Sequence, residues 1–458
     1  MATISSPHAS SESPGGARDV ESAPGWHPAT RVAFRFCFLY FGLYVVTTQM
    51  LQAFLDIPGL ELPDLGILPP ARPLFLWIGR HILGLAPPSR IVTGTGDTVY
   101  GWIQSFSLLL IAIIGTVIWS VVARRRTAQA TLYGWFRLFL RIALGVTFVF
   151  YGSIKVIPTQ MPALDLPRLV EPFGNFSPMG VLWSSTGASP AYEIATGGVE
   201  LLGGLLLFFP VTTIVGALVC LLSATMVFLA NMTYDVNLKL FSFHLIAMSL
   251  FLLAPNARPL FDLFIRHRPG SLRPEPAVDG SPSAWRKIVI AQAVFCVYTL
   301  AIIGYGSITI WKTSWLSGGP RLAIFGIWDV DSMAVGGAAK PPLLSDSTRW
   351  RRVIFQGPMA TFQRMDDTFR QYAVTVDSTA RSLTLSPVDT TPSDIRLTAD
   401  TTKPKSLLTY RRVDREHLII DGKMDQQDVH LALTFRDPDS FLQRSRGFHW
   451  ISEVPFNR

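Results

Sequence analysis

Four polar side chains suited to acid–base chemistry lie within strongly apolar runs of this sequence: Tyr151, Lys155, Glu200 and His244. An isolated charge in hydrocarbon is costly, so each needs an opposite charge, a hydrogen bond or a proton. Positioned together, such groups donate hydrogen bonds to the carbonyls of a bound molecule and exchange protons with it. We therefore predict that these four residues form the catalytic part of a polar pocket.

Helical spacing indicates which of these side chains can meet. Tyr151 and Lys155 are four residues apart and share one helix face. Glu193 and Glu200 also share a face, and a rise of 1.5 Å per residue places Glu200 about 10 Å below Glu193. Lys155 and His244 lie at a similar depth, so the sequence predicts them as the partners of Glu200.

A second group of polar residues marks the predicted rim of the pocket, and we assign it to ligand binding. Most of it lies in the stretch NMTYDVNLKLFSFHLIAM (231–248), between two apolar runs. The group consists of Glu193, Asn231, Tyr234, Asp235 and Lys239. For Glu193, Tyr234 and Lys239 the alternative stays open that they are ordinary membrane-boundary residues, with lysines and tyrosines reaching the headgroup zone. For His244 the alternative is a histidine whose hydrogen bonds are satisfied in a contact between helices.

The composition shows which elements must carry these residues. Of the 458 residues, 49% are hydrophobic and only 16% are charged, against about 25% charged in soluble domains. Several apolar runs of about 20 residues are each long enough to cross a bilayer. The net charge of +8 comes from basic residues that cluster beside these runs, which favours topology signals over nucleic-acid binding. The sequence predicts a polytopic membrane protein with no nucleic-acid partner.

The apolar runs predict about seven transmembrane helices, the sixth of which is short and needs an extension before or after it. They lie at 32–55, 99–122, 136–157, 192–209, 211–231, 240–254 and 286–310. Residues 72–85 are too few to cross and predict a helix lying in the membrane interface. The basic loops at 123–127 and 258–287 belong in the cytoplasm by the positive-inside rule. The N-terminus is therefore predicted to be inside, and the chain after the seventh helix outside.

From about residue 320, apolar and polar residues alternate, as in RSLTLS, DIRLTA and DVHLALTF, with turn signals such as IDGKMD between them. This period of two predicts about eight short strands in a small antiparallel barrel or sandwich. The tail 439–458 mixes aromatic and arginine residues, from which we expect the β domain to dock on the outer mouth of the helix bundle. The alternative is that the tail packs only on its own barrel. The three cysteines lie in predicted spans without metal-type spacing, so no metal site is predicted.

The sequence thus divides into five parts. These are a disordered tail (1–30), two transmembrane helices with an interfacial helix in their external loop (31–135), a four-helix membrane core (136–270), a seventh transmembrane helix (285–312), and an extracytoplasmic β domain with its tail (320–458).

Four segments of the core and the tail resemble the DoxX-like integral membrane proteins of bacteria, in a longer subfamily with a C-terminal domain. They are FYGSIKVIPTQ, GGVELLGGLLL, NMTYDVNLKLFSFHLIAMSLFLLAP and the ending RGFHWISEVPFNR. Relatives often carry proline after YDV, where this chain has Asn237. The resemblance implies a DoxX-like four-helix core in the bacterial inner membrane. It also implies a redox-associated role, since members are linked to thiosulfate-to-quinone electron transfer and to complexes that handle thiol oxidants.

Three functions follow as hypotheses. The first is a quinone-linked oxidoreductase or the membrane subunit of a redox complex; quinone is then the expected cofactor. The second is a carrier or receptor for a small anion or a lipid, bound through Lys155 and Lys239 and gated by the β domain. The third is an anchor that docks an extracytoplasmic protein partner through the β domain. Because the sequence shows no flavin, haem or iron–sulfur motif, electrons would pass through a partner protein or directly from substrate to quinone.

Overall fold

The structure is a computed structural model that describes residues 26–54, 64–89, 91, 97–123, 129–276, 282–314, 321–388 and 404–457. A helical part is followed by a β-barrel, which confirms the predicted fold class. Residues 1–25 of the predicted disordered tail and 124–127 of the basic loop lie outside the described residues. The first helix begins at Pro28, earlier than predicted, because proline suits the first turn of a helix.

The helices are numbered in chain order. They are α1 (Pro28–Thr47), α2 (Gln49–Phe54), α3 (Ala71–His81), α4 (Val99–Val122), α5 (Gln129–Val156), α6 (Leu166–Val170), α7 (Pro178–Gly187), α8 (Pro190–Leu207), α9 (Thr213–Thr233), α10 (Lys239–Leu253), α11 (Ala257–Phe264), α12 (Pro282–Thr313) and α13 (Leu442–Ser445).

Within the described residues, six helical runs are long and apolar enough to cross a membrane: α1, α4, α5, α9, the run from α10 to α11, and α12. The chain is therefore a multi-pass membrane protein. The remaining predicted span is α8, which is outside this group because Glu193 and Glu200 lower its hydropathy. It nevertheless packs against both α5 and α9, so it belongs to the same bundle.

Two predicted spans differ in detail from the structure. The first is divided, because Thr48 is extended and separates α1 from the short α2. The sixth is lengthened after its end, where a 3-10 turn at Ala254–Asn256 leads into α11. The predicted interfacial helix is α3, which lies against α4 with Phe75 and Ile78 buried.

Glycines set the close packing of α5 against α8. A Cβ at Gly197 would lie 2.9 Å from the carbonyl oxygen of Gly152, and a Cβ at Gly204 would lie 2.7 Å from that of Gly145. These contacts show that the two backbones touch at two levels, seven residues apart on each helix. Small residues allow such an approach between membrane helices. The consequence is that side chains between these levels, including Glu200, lie close to α5.

The β domain is a closed antiparallel barrel, which decides between the two predicted alternatives. Its strands are β1 (Gly326–Val335), β2 (Ala338–Ala339), β3 (Trp350–Gln356), β4 (Met359–Arg364), β5 (Phe369–Asp377), β6 (Ser382–Pro387), β7 (Ser406–Arg412), β8 (His417–Met424) and β9 (Gln427–Arg436). From β3 onward each strand pairs with the next, and β1 pairs with both β3 and β9 to close the barrel. The two-residue β2 only extends the edge of β1.

The alternation seen in the sequence matches the barrel interior. Leu383 and Leu385 on β6, and Leu431 and Leu433 on β9, are all buried. The segment IDGKMD lies almost wholly in β8, and the turn to β9 is formed instead by Asp425 and Gln426, both with positive φ. DIRLTA (394–399) lies outside the described residues.

The barrel contacts the helical part through the connection between α5 and α7. We call residues 157–171 the strap. Leu166 in the strap is fully buried and packs with Ile327 and Ile354 of the barrel. Its backbone N–H donates to Oε1 of Gln356 at 2.7 Å. The barrel is therefore attached to the end of the bundle where α5 ends.

Candidate functional site

A cavity of about 340 Å³ lies between α5, α7, α8, α9 and α10. This volume falls in the range of about 300–1,000 Å³ that is usual for small-molecule sites. Most of its wall is apolar. The polar and charged groups on the wall include Tyr151, Lys155, Gln160, Glu200 and Asn231. The cavity thus combines a large apolar surface with a few polar groups, as ligand sites do.

An ion pair between Lys155 and Glu200 forms the charged part of the wall. Nζ of Lys155 donates to Oε1 of Glu200, and both side chains are buried. Of the two predicted partners of Glu200, Lys155 forms the ion pair, whereas His244 bonds to Tyr40 and Leu240 instead. Oε2 of Glu200 is buried and has no hydrogen-bond partner among the described residues. A buried acceptor left in this state costs about 1–3 kcal/mol, so this oxygen is suited to receiving a donor from a bound molecule.

A second acceptor comes from the strap. Gln160 lines the cavity, and its side-chain oxygen is also buried without a hydrogen-bond partner among the described residues. The backbone at this point is fixed, because Nε1 of Trp183 donates to the carbonyl oxygen of Gln160 at 3.1 Å. Gln160 and Glu200 both line the cavity, and each carries one acceptor oxygen without a partner among the described residues. A ligand that carries hydroxyl or amine donors matches these two acceptors.

Tyr151 separates this cavity from a smaller one of about 240 Å³ on the side of α2 and α12. Both cavities are lined by Tyr151, Thr147 and Phe241. The hydroxyl of Tyr151 accepts a hydrogen bond of 3.2 Å from Nε2 of Gln49, which faces the smaller cavity. The phenol can still donate its own proton, so it is one of the few donors on this wall.

The cavity opens to the side of the bundle between α8 and α9. Val199 on α8, together with Leu222 and Met226 on α9, lines the cavity and is about half exposed at the surface of the helices. These apolar side chains lie on helices that face the lipid region. In a membrane, this apolar side of the cavity would lie against lipid, and the Lys155–Glu200 pair lines the same cavity.

His244 lies outside this cavity, although the sequence predicted it on the wall. Its Nδ1 is 2.7 Å from the carbonyl oxygen of Leu240 and must carry the proton, since a carbonyl only accepts. Its Nε2 then accepts from the hydroxyl of Tyr40 at 2.8 Å. The imidazole also stacks on Tyr44, with ring centroids 3.8 Å apart. The sequence predicted the depth of His244 in the bundle but not the direction of its side chain. The face of α10 that carries His244 is turned toward α1.

Three of the predicted rim residues also lie outside the cavity. Nζ of Lys239 is 2.9 Å from the Asp235 carboxylate and 3.7 Å from that of Asp97. The carboxylate of Asp97 accepts from the backbone N–H groups of Lys239 and Leu240, and so caps the start of α10. Tyr234 is the C-cap residue that follows α9 and is partly exposed. This cluster holds the α9–α10 connection and does not face Glu200.

The two other predicted binding residues have different positions. Asn231 lines the cavity, and its amide donates to the carbonyl of Leu238 and to the hydroxyl of Ser242, both at 3.1 Å. Glu193 is almost fully buried, and its Oε1 accepts from the backbone N–H of Met161 at 2.9 Å. Glu193 thus holds the strap beside the cavity. Of the predicted residues, the cavity brings together Tyr151, Lys155, Glu200 and Asn231.

Sequence reasoning missed Gln160 and Trp183, because the loop between two spans carries no periodic signal. It also missed a second pair of buried charges in α5. Arg137 forms an ion pair with Glu275, and Arg141 donates to Gln292 and to Thr213. The two arginines are four residues apart in an apolar run, so the argument applied to Glu200 would have found them. The described residues contain no cluster of ligands suited to a metal ion.

No family model matches the chain, and no solved structure matches it. The chain is 28% identical over 140 residues to the uncharacterized protein YwoB of Bacillus subtilis (strain 168); the aligned region covers 31% of this chain and 86% of that protein. The DoxX-like resemblance therefore stays a prediction.

Proposed function

We propose that this protein binds the head group of a membrane quinol or quinone and acts in a quinone-linked oxidoreductase, alone or as its membrane subunit. The observation that supports this most is the Lys155–Glu200 ion pair on the wall of a cavity open to the lipid region. Oε2 of Glu200 has no hydrogen-bond partner there among the described residues. A quinol ring has hydroxyl donors for this oxygen, and its isoprenoid chain suits the lateral opening.

The chemistry of the wall fits both redox forms. The hydroxyl of a quinol can donate to Oε2 of Glu200, while the carbonyl of a quinone can accept from the Lys155 ammonium or from the Tyr151 hydroxyl. Reduction of a quinone to its quinol takes up two electrons and two protons. The two electrons would come from a partner redox protein or directly from the reduced substrate. Lys155 and Tyr151, which can donate to the quinone carbonyls, would each deliver one proton as a general acid, and both protons would then be replaced from water.

The resemblance to DoxX-like proteins supports the same proposal. The segments FYGSIKVIPTQ and GGVELLGGLLL contain Lys155 and Glu200, the two residues that form the ion pair. Some members are linked to quinone reduction, and the resemblance would extend that role to this chain. The expected location is the bacterial inner membrane.

A lipid carrier or receptor is the second candidate, and the lateral opening between α8 and α9 favours it. An anion is less suitable as the cargo. The sequence assigned anion binding to Lys155 and Lys239, but both lysines have carboxylate partners in the structure. The charge that would attract an anion is therefore already compensated. A neutral lipid with a hydroxyl head group fits the same two acceptors.

The test is to extract lipids from protein purified in native-membrane nanodiscs and to identify them by mass spectrometry. We expect quinone enriched over the surrounding lipid for the wild type and lost in the Lys155→Met, Glu200→Gln double variant. The matched control is the Arg137→Met, Glu275→Gln double variant, which removes another buried ion pair and should retain the quinone. Enrichment of a different lipid would favour the carrier. Equal quinone in wild type and the Lys155→Met, Glu200→Gln variant would contradict the proposal.

A further inference from the structure

We propose that the β-barrel positions one wall of the ligand cavity by holding the strap, and that Leu166 and Gln356 are the positioning residues. The identity of the ligand in this inference rests on the proposed function, whereas the mechanical coupling does not.

The first half of the strap belongs to the cavity. Gln160 and Met161 line it, and the side-chain oxygen of Gln160 has no hydrogen-bond partner in the described part of the chain. The backbone of Gln160 accepts from Nε1 of Trp183, and the N–H of Met161 donates to Glu193. These bonds connect the strap to α7 and α8, the helices that form the rest of this wall. The position of the strap therefore sets where the Gln160 oxygen points.

The second half of the strap belongs to the barrel. The N–H of Leu166 donates to Gln356 on β3 at 2.7 Å, and its side chain is fully buried against Ile327 and Ile354. Further along, Nε2 of Gln363 on β4 donates to the carbonyl of Val170 at 3.1 Å. After the barrel, Arg444 donates to the carbonyl of Leu164 at 2.7 Å. Hydrogen bonds from three separate parts of the domain thus hold this half.

The two halves are too close in sequence to move independently. Leu166 is five residues after Met161. Since an extended chain spans at most about 3.3–3.6 Å per residue, these two contacts stay within about 18 Å of each other. The segment between them is stiffened at its end, where Asp165 caps α6 by accepting from the N–H of Arg168 at 3.0 Å. A shift of the barrel contact must therefore move the cavity wall, and a ligand on that wall must in turn stabilise the contact.

The coupling can be measured without any ligand by hydrogen–deuterium exchange of the full-length protein in nanodiscs. Gln356→Leu and Leu166→Ala should each raise exchange in residues 157–163 roughly threefold to tenfold, the factor expected for the loss of about one hydrogen bond. Leu166→Met, which conserves volume, should stay near the wild type. The matched control is Leu408→Ala, because Leu408 is buried in the barrel core but outside the cluster on the strap. Unchanged exchange in both test variants, or an equal rise in Leu408→Ala, would overturn the coupling.

The second measurement is the Kd of a ubiquinol with one isoprene unit for the same set of proteins. We expect Kd to rise by a similar factor in Gln356→Leu and Leu166→Ala, and to change little in Leu166→Met and Leu408→Ala. If the strap loosens but Kd is unchanged, the positioning role is wrong. If the wild type does not bind this quinol, the proposed function is contradicted, while the exchange result still decides the coupling.

Discussion

The buried pair of Lys155 and Glu200 shows how two costly residues become tolerable in an apolar bundle. Each compensates the charge of the other, and the glycine contacts between α5 and α8 bring the two helices close enough for direct contact. Removing one partner leaves the other charge buried and uncompensated, which costs about 3–5 kcal/mol. Removing both leaves no charge, so the loss should be smaller.

This gives a prediction for a double-mutant cycle. Glu200→Gln and Lys155→Met should each lower the free energy of unfolding by about 3–5 kcal/mol, and the double variant should lose clearly less than the sum of the two. The measurement is denaturant unfolding of the purified protein in mixed micelles. Additive losses would show that the two charges do not interact in the folded protein.

At the residue scale, the sequence predicted the depth of each polar side chain in the bundle better than the direction in which that side chain points from its helix. The helical rise places Glu200, Lys155 and His244 at similar levels, and the pairing of the first two follows. The rotation of each helix about its axis depends on packing partners that are distant in sequence. For His244 those partners are Tyr40 and Tyr44 on α1, about 200 positions earlier. Nothing in the local pattern of α10 specifies them.

At the scale of single elements, Asp97 shows how a residue before one helix holds the start of another. Its carboxylate caps α10 by accepting from two backbone N–H groups, while Asp235 contacts only the end of the Lys239 side chain. Asp97→Ala should therefore destabilise the protein by about 1 kcal/mol, as the loss of a helix cap does. Asp235→Asn is the control and should have a smaller effect, because its ion pair is exposed and asparagine tolerates the positive φ of this residue. Equal thermal stability of the two variants would contradict the assignment.

The turn between β7 and β8 contains a titratable pair. Nδ1 of His417 is 2.8 Å from Oδ2 of Asp414. This hydrogen bond raises the pKa of His417 above its ordinary value of 6.5, and it lowers the pKa of Asp414 below 3.8. The stabilisation from His417 is fully present below pH 6.5 and is lost as the pH rises through the raised pKa. That from Asp414 is present above pH 3.8 and is lost as the pH falls through the lowered pKa.

The resulting prediction is a titration of His417 by NMR in the full-length protein. Its midpoint should lie above the ordinary histidine value, and Asp414→Asn should move it back toward that value while leaving the folded barrel intact. The asparagine retains an acceptor oxygen for the backbone N–H groups of the turn. A wild-type midpoint at or below that of the variant would show that the pair does not form.

The barrel also shows where local patterns are ambiguous. Alternation identified β6 and β9 because every second residue is buried there, at Leu383, Leu385, Leu431 and Leu433. The DG dipeptide in IDGKMD is a strong turn signal, yet Gly422 lies inside β8. The residue there is glycine because a Cβ would collide with the backbone of β7. Glycine allows the two strands to approach closely at this position, and this requirement depends on β7, which the local sequence of β8 does not specify.

At the scale of the whole molecule, the contacts of the strap relate the barrel to the ends of the helices. The barrel follows α12 and is bound to the strap that follows α5, so the C-terminal ends of these helices lie at the same end of the bundle. This end also contains the Gln160 side of the cavity. The barrel and the cavity therefore share one side of the membrane, and its identity depends on the orientation of the chain.

The last prediction concerns that orientation. The basic residues at 123–127 and 258–287 favour a cytoplasmic position for their loops, which puts the barrel outside the cytoplasm. A cysteine at Gln426, in the exposed turn between β8 and β9, should react with a membrane-impermeant maleimide in right-side-out vesicles. A cysteine at Arg258, which is highly exposed at the start of α11, is the control and should react only in inverted vesicles. The reverse pattern would place the barrel in the cytoplasm, and any quinol site beside it would then exchange protons with the cytoplasmic side.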